Sequence, residues 1–138
     1  MKKIKLFIIV TFCCVFTAFS QEKTNTNGAE ISFEKETHSF GSIIFGTEAS
    51  YSFKFINAGS TALIISSVKS TCGCTIPYWP KEAIAPGDSA VVKIEYNTRR
   101  SGKFSKGVTI YSNAINSPSL LIITGEVTTN KNKTVLPN

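Results

Sequence analysis

The clearest pattern in the chain is an alternation of apolar and polar residues with a period of two. Over residues 51–57 the large apolar side chains are Tyr51, Phe53 and Phe55, and mostly polar residues lie between them. A period of two places successive side chains on opposite faces of a strand, so this segment is predicted to be a strand with one buried aromatic face. Residues 92–96 repeat the alternation and predict a second strand of the same kind.

Five further segments have the apolar or β-branched character of short strands. They are residues 31–36, 43–45, 62–68, 104–110 and 120–127. Clusters of Gly, Pro, Asn and Ser separate the segments and include a type II turn predicted at residues 85–88. After the first twenty residues, no stretch has apolar residues at helical spacing. About seven short strands in roughly a hundred residues predict an all-β, immunoglobulin-like sandwich.

The first twenty residues have the composition of an export signal. A lysine-rich start is followed by an apolar run over residues 6–16 and then by small residues. This order is typical of a secretory signal peptide, and the run is shorter than the roughly 20 residues that span a bilayer. An uncleaved anchor or a lipoprotein is the weaker alternative. We therefore expect cleavage after Ser20, a flexible lead-in over 21–29, a sandwich domain over 30–127 and a polar tail over 128–138.

The net charge changes once the predicted signal peptide is removed. The whole chain has 15 basic and 9 acidic side chains, a formal net charge of +6. Without Lys2, Lys3 and Lys5 there are 12 basic and 9 acidic side chains, which leaves a charge of +3. A modest charge on an exported protein argues against nucleic acid as its partner. No other run approaches membrane-spanning length, so we expect a secreted or periplasmic domain whose partner is another envelope or surface protein.

Several short motifs, taken together in order and spacing, resemble a known family. The motifs are Phe40-Gly41-Ser42-Ile43, residues 53–59, Cys72-Gly73-Cys74-Thr75, Ile84-Ala85-Pro86-Gly87, residues 102–106 and residues 121–125. In this arrangement the chain is similar to the bacterial domain-of-unknown-function family numbered 1573, over roughly residues 33–127. The resemblance implies an exported protein with an immunoglobulin-like fold akin to the ASPM–SPD-2–Hydin domains. It implies no established activity, so it bears on fold and compartment more than on function.

The Cys-Gly-Cys segment is the one place where the sequence suggests chemistry. Cys13 and Cys14 lie in the predicted signal peptide, so Cys72 and Cys74 are the two cysteines of the expected mature chain. An exported pair is expected to form a disulfide. An extended chain holds positions i and i+2 about 7 Å apart, beyond the usual Cα range of roughly 4.4–6.8 Å, so a bend at Gly73 is required. A copper site with two thiolate ligands and thiol exchange by a reactive pair stay open as alternatives.

Two surface segments are candidates for contact with a partner. Tyr78 and Trp79 lie between prolines in a predicted loop over residues 70–80. They form a recognition tip or, as the favoured alternative, Trp79 folds back and covers the end of the sandwich. Arg99 and Arg100 begin the densest basic patch of the mature chain, a pattern that most often indicates a solubilising surface.

An enzymatic role has little support in the composition. The mature chain has one histidine, His38, and one aspartate, Asp88, and a Ser-His-Asp triad would need both. We expect His38 to be exposed or half-packed beside Phe40, and the sequence has no phosphate-loop, calcium-loop or HExxH motif. We therefore predict a non-enzymatic module, with no required cofactor, that binds another protein or contributes to envelope structure. Copper binding or thiol redox chemistry at the Cys-Gly-Cys loop is the alternative.

Overall fold

The computed structural model describes residues 27–129, and all of the regular structure in this range is β-strand. The eight strands are β1 Ile31–Phe33, β2 Thr37–Ile44, β3 Ser50–Asn57, β4 Ile65–Ser70, β5 Thr75–Tyr78, β6 Ser89–Tyr96, β7 Gly102–Ser112 and β8 Ser119–Thr128. Within this range no helix has the length and apolar character needed to cross a membrane. The predicted signal peptide, most of the lead-in and nearly all of the predicted tail lie outside the described residues.

Two four-stranded sheets pack face to face. One sheet has the order β1-β3-β6-β5 and the other has the order β2-β8-β7-β4. Neighbouring strands are antiparallel, except that β2 runs parallel to β8. The inner faces meet in one core whose largest fully buried side chains include Phe53, Phe55, Ile94, Ile110 and Leu121. The prediction of an all-β, immunoglobulin-like sandwich is confirmed.

The period-two alternation accounts for the central strands. On β3, Phe53 and Phe55 are each 1% exposed, whereas the intervening Lys54 is exposed. The predicted turn at residues 85–88 leads into β6 and is present. Gly87 there has a φ of +83°, and the N–H of Asp88 donates to the carbonyl of Ala85 at 3.0 Å. Glycine supplies the positive φ that a type II turn requires at its third position.

Contacts of the domain begin inside the predicted lead-in. Ala29 is 1% exposed, and its carbonyl accepts a hydrogen bond from Ile115 at 2.9 Å. The carbonyl of Gly28 likewise accepts a hydrogen bond from Ser60 at 2.8 Å. Since β8 continues to Thr128, the structure extends the sandwich by one or two residues at each end of the predicted domain.

The segment predicted as one loop over residues 70–80 contains a strand. It includes the last residue of β4 and the whole of β5, so the true connection between them covers only residues 71–74. The strand was missed because it has four residues and contains Pro77, which normally argues against a strand. An edge strand accepts proline, since the missing N–H can fall on the side that pairs with nothing.

Candidate functional site

Three connections meet at one end of the sandwich, which we call the cysteine end. They join β2 to β3, β4 to β5 and β6 to β7, and they cover residues 45–49, 71–74 and 97–101. A groove of about 520 Å³ opens at this end, and both Gly73 and Arg99 line it. The fold therefore brings the Cys-Gly-Cys segment next to one of the two candidate arginines.

Cys72 and Cys74 are joined by a disulfide, with their Cα atoms 5.3 Å apart. This separation lies within the usual range for disulfides and is shorter than an extended chain would allow. The chain turns at this point, since the N–H of Thr75 donates to the carbonyl of Cys72 at 3.4 Å. Gly73 has an ordinary negative φ, and a side chain there would meet no atom within 4 Å. The bend required by the pair is present, and neither space nor backbone conformation makes glycine obligatory for it.

The two cysteines differ in their surroundings. Cys74 is 2% exposed and belongs to the core. Cys72 is half-buried and packs against the outside of the core. The Sγ of Cys72 accepts a hydrogen bond from the backbone N–H of Cys74 at 3.3 Å. The hydroxyl of Thr75 lies 3.7 Å from the Sγ of Cys72 and 4.0 Å from that of Cys74. Both donors can stabilise negative charge on the sulfur of Cys72.

The disulfide is a weak structural restraint because it closes a loop of only three residues. In the chain-entropy model, such a loop contributes about 1.6 kcal/mol to stability, against about 3 kcal/mol for a fifteen-residue loop. It also connects positions that are already neighbours along the chain, so it fastens no two distant elements together. Burial of the apolar core must therefore supply most of the stability of the sandwich.

The copper alternative gains no further ligand from the fold. Among residues 27–129 there is no group of three His, Cys, Asp or Glu side chains that could hold a metal ion. The disulfide also occupies both sulfur atoms, and metals bind thiolates. His38 lies on β2, where its ring stacks on Tyr51 at a centroid distance of 3.6 Å and meets Phe40 edge-on at 4.6 Å. The histidine is therefore a half-buried packing residue beside Phe40.

Tyr78 and Trp79 do not join the arginines in one surface. Tyr78 ends β5 and is 51% exposed. Trp79 is half-buried against the core, and the ammonium group of Lys81 lies 3.1 Å from its ring centroid. Arg99 and Arg100 are exposed in the connection after β6, at the cysteine end. Thus Trp79 packs against the sandwich, while Tyr78 remains on the surface.

The edges of the two sheets were not defined by the sequence pattern. The edge strands are β1 and β5 in one sheet and β2 and β4 in the other. An edge strand presents backbone N–H and C=O groups that can pair with another chain. Which edges are open therefore decides where this sandwich can accept a partner strand.

Three of the four edges are obstructed. On β1, the side-chain amide of Asn116 donates to the carbonyl of Ile31 at 2.7 Å and accepts from its N–H at 3.1 Å. On β2, the register shifts around Gly41, whose φ is +64°, and such a bulge disrupts a ladder. On β5, the outward-facing positions of the ladder are Thr75, whose N–H already donates to the carbonyl of Cys72, and Pro77, which has no N–H to donate.

The register of β4 also shifts, between Ile65 and Ser67, but its ladder with β7 is regular from Ser67 to Ser70, and the outer edge lacks the obstructions above over these last residues. The N–H of Thr71 donates to the carbonyl of Gly107 at 3.0 Å. In this register, alternate residues of β4, Ser67 and Lys69, form the hydrogen bonds to β7. The alternation of an antiparallel ladder then directs the backbone groups of Val68 and Ser70 away from β7. In the described part of the chain, no strand pairs with this side of β4.

Solved structures with a similar fold come from several kinds of protein. A protein of unknown function from Porphyromonas gingivalis W83 is 15% identical, with a TM-score of 0.64 over 75% of this chain and 49% of that chain. This chain thus spans about half the length of that relative. The ASH / PapD-like domain 7 of human CEP192 is 9% identical, with a TM-score of 0.63 over 75% of this chain and 89% of that domain.

A third likeness is to the CsuC–CsuE chaperone–tip adhesion subunit pre-assembly complex of Acinetobacter baumannii. It is 10% identical, with a TM-score of 0.52 over 72% of this chain and 58% of the matched chain. At such low identities these likenesses show the fold alone.

No curated protein sequence matches this chain. The family described as "Protein of unknown function (DUF1573)" matches residues 31–127, close to the range over which the motifs resemble it. This match covers well over half of the 138 residues. The chain therefore belongs to the DUF1573 family of proteins of unknown function.

Proposed function

We propose that this domain is a non-enzymatic module that binds another protein by accepting an extended segment along the outer edge of β4. The observation that carries the proposal is the open ladder at Val68 and Ser70, on a sandwich whose other three edges are obstructed. In strand addition, main-chain hydrogen bonds supply affinity, and alternate side chains supply specificity.

The side chains around this edge indicate the chemistry of the segment. Lys69 is exposed on the outer face of β4, and its ammonium group lies 5.5 Å from the ring centroid of Tyr111 on β7. An acidic side chain on the incoming strand would pair with the lysine, and an apolar one would cover the tyrosine. We therefore expect a partner segment in which an acidic and an apolar residue share one face.

We place this binding outside the cytoplasm, in the cell envelope or at the surface. The basic and apolar start of the sequence supports export, and a disulfide between Cys72 and Cys74 is favoured by an oxidising compartment. The charge of +3 expected for the mature chain gives no reason to propose a nucleic acid as partner.

A photo-crosslinking residue placed at position 69 tests the proposal in cells that produce the full chain. Lys69→p-benzoylphenylalanine removes the proposed charge contact but leaves the main-chain hydrogen bonds that supply the affinity, so it should still give a defined adduct with a partner protein. The same replacement at Ser52, which is exposed on β3 in the opposite sheet, serves as the control and should not. Adducts of equal yield from both positions would contradict binding at the β4 edge.

A matched pair of substitutions then tests the backbone contact itself. Ser70→Pro and Ser70→Ala both remove the hydroxyl that donates to the carbonyl of Cys72 at 2.6 Å. Only the proline also removes the outward N–H. We expect the adduct from position 69 to be lost with Ser70→Pro and kept with Ser70→Ala, with thermal unfolding confirming that both variants are folded. Retention of the adduct in a folded Ser70→Pro protein would overturn strand addition.

A further inference from the structure

We propose that the Cys72–Cys74 disulfide is an exchange site that oxidises the paired thiols of another protein. In this reaction Cys72 is the sulfur that the substrate thiol attacks, and Cys74 is the buried sulfur that leaves. The inference rests on the surroundings of the two sulfur atoms, and it does not require the binding edge on β4.

Exposure determines which sulfur a substrate can reach. A thiolate attacks a disulfide at one sulfur and displaces the other, so access decides the site of attack. Cys74 is 2% exposed and packs in the core, whereas Cys72 is half-buried at its surface. An incoming thiolate therefore reaches Cys72, and the mixed disulfide forms there.

The donors around Cys72 favour the second step, in which this sulfur is released with a negative charge. The backbone N–H of Cys74 donates to its Sγ at 3.3 Å, and the hydroxyl of Thr75 lies 3.7 Å away. A sulfur whose thiolate is stabilised in this way is a good leaving group.

The reaction balances as a two-electron oxidation of the substrate. A substrate thiolate bonds to the Sγ of Cys72, the Cys72–Cys74 bond breaks, and the electron pair goes to Cys74, which takes up a proton. The second substrate thiolate then bonds to the first substrate sulfur, and Cys72 leaves as a thiolate. The substrate has gained a disulfide and the protein has become a dithiol. A disulfide-containing oxidant, such as oxidised glutathione, restores the Cys72–Cys74 bond by the same steps in reverse.

The groove at the cysteine end offers space for the polypeptide that carries the thiols. Gly73, the residue between the two cysteines, lines this groove. Ile76 also lines it, and its side chain is 47% exposed. Arg99 and Glu95 line the same groove and present charges of both signs. Most of the other lining residues are polar, so a polypeptide segment that places one apolar residue on Ile76 and polar residues along the rest of the groove fits this surface.

The first test uses the oxidised full chain and a synthetic peptide that contains two thiols and an apolar residue between them. Mixed in equal amounts, the peptide should become oxidised while Cys72 and Cys74 become open to alkylation, as read by intact mass. The Cys72→Ser, Cys74→Ser double variant is the control and should oxidise none. A peptide that stays reduced while the disulfide stays intact would overturn the proposal.

Single variants test the roles of the two sulfurs. Cys74→Ser leaves the thiol of Cys72, and Cys72→Ser leaves that of Cys74. With oxidised glutathione as the probe, Cys72 should form the mixed disulfide at least about tenfold faster than Cys74, since reactivity follows exposure and thiolate stabilisation. Equal rates, or faster reaction at Cys74, would contradict the assignment of Cys72. If a single variant fails to fold, the peptide experiment with the natural pair still decides the proposal.

Discussion

At the scale of single residues, His38 gives the sandwich a predictable dependence on pH. Burial against Tyr51 and Phe40, and next the charge of Lys35, lower the pKa of His38 below its ordinary value of 6.5. The unfolded chain therefore binds the proton more readily than the folded protein. The stabilising contribution of the neutral ring is complete above about pH 6.5 and is lost as the pH falls through the lower pKa of the folded state.

We expect thermal unfolding to shift to lower temperature between about pH 7.5 and about pH 5.5, above the range in which ordinary carboxylates titrate. His38→Phe keeps a ring against Tyr51 but cannot titrate, so its unfolding temperature should change less over this interval. Lys35→Ala, which removes the second cause, should weaken the dependence in part. An unchanged slope in His38→Phe would show that another group is responsible.

A second residue-scale prediction concerns Asn57, whose side chain is fully buried. Its amide nitrogen donates to the carbonyls of Thr61 and Ile84 at 2.8 Å and 2.9 Å, and its oxygen accepts from Gly59 at 3.0 Å and Glu30 at 3.4 Å. The alternation identified this position only as the end of a strand. In the structure it ties three segments together.

Asn57→Ala should lower the free energy of unfolding by at least about 2 kcal/mol, because buried backbone groups would lose their partners. Urea unfolding measures the loss. Asn116→Ala is the control, since that exposed amide also bonds to backbone groups, and should cost no more than about 1.5 kcal/mol. Equal losses in the two variants would contradict a special role for the buried amide.

At the scale of elements, Pro77 protects the edge of β5. Its position faces outward from the ladder with β6, and proline supplies no N–H there. Pro77→Thr should restore an outward-facing backbone N–H on this edge. The neighbouring side chains of Ile76 and Tyr78 are 47% and 51% exposed. We expect stronger self-association, because an unprotected edge pairs with another copy.

Sedimentation velocity over a range of protein concentrations measures this effect. The mean mass of Pro77→Thr should rise more steeply with concentration than that of the natural protein. Pro80→Thr is the matched control, since this proline lies beyond the end of β5 and its replacement should leave the mass unchanged. An identical increase in both variants would show that the edge of β5 is not the surface involved.

The edge strands β2 and β5 show why some strands were predictable from the sequence and others were not. Strands β3, β6, β7 and β8 bury one face in the core, so their side chains alternate or run apolar and reveal them. The prediction over residues 43–45 captured only the end of β2, because Gly41 and the register shift beside it interrupt the alternation. Strand β5 is short and contains Pro77, so its sequence is that of a turn. Edge strands carry the weakest signal because only part of each is packed.

At the scale of the whole molecule, the arrangement of the candidate site follows from topology. The sequence identified the Cys-Gly-Cys pair and Arg99 as separate candidates. In the structure, the connection after β4 and the connection after β6 lie at the same end of the sandwich, so both candidates border one groove. The open edge of β4 depends on the strand order, and a period-two pattern is compatible with many orders. Residue chemistry was therefore readable from the sequence, whereas adjacency and exposure of backbone groups were not.

The last prediction separates the two roles proposed for this domain. The Cys72→Ser, Cys74→Ser double variant should lose only about 1–2 kcal/mol of unfolding free energy, because a three-residue loop restrains the unfolded chain weakly. The unfolding midpoint should then fall by roughly 4–8 °C per kcal/mol, as measured by thermal unfolding against the natural protein.

In this folded double variant, the crosslink from position 69 should persist while oxidation of the dithiol peptide disappears, because the edge of β4 and the disulfide use different atoms. If the crosslink were lost as well as the peptide oxidation, the disulfide would be needed to shape the edge of β4, and the two roles would not be separable. A stability loss above about 4 kcal/mol would show that the disulfide is a structural staple, since it would exceed the usual 2–4 kcal/mol contribution of a disulfide.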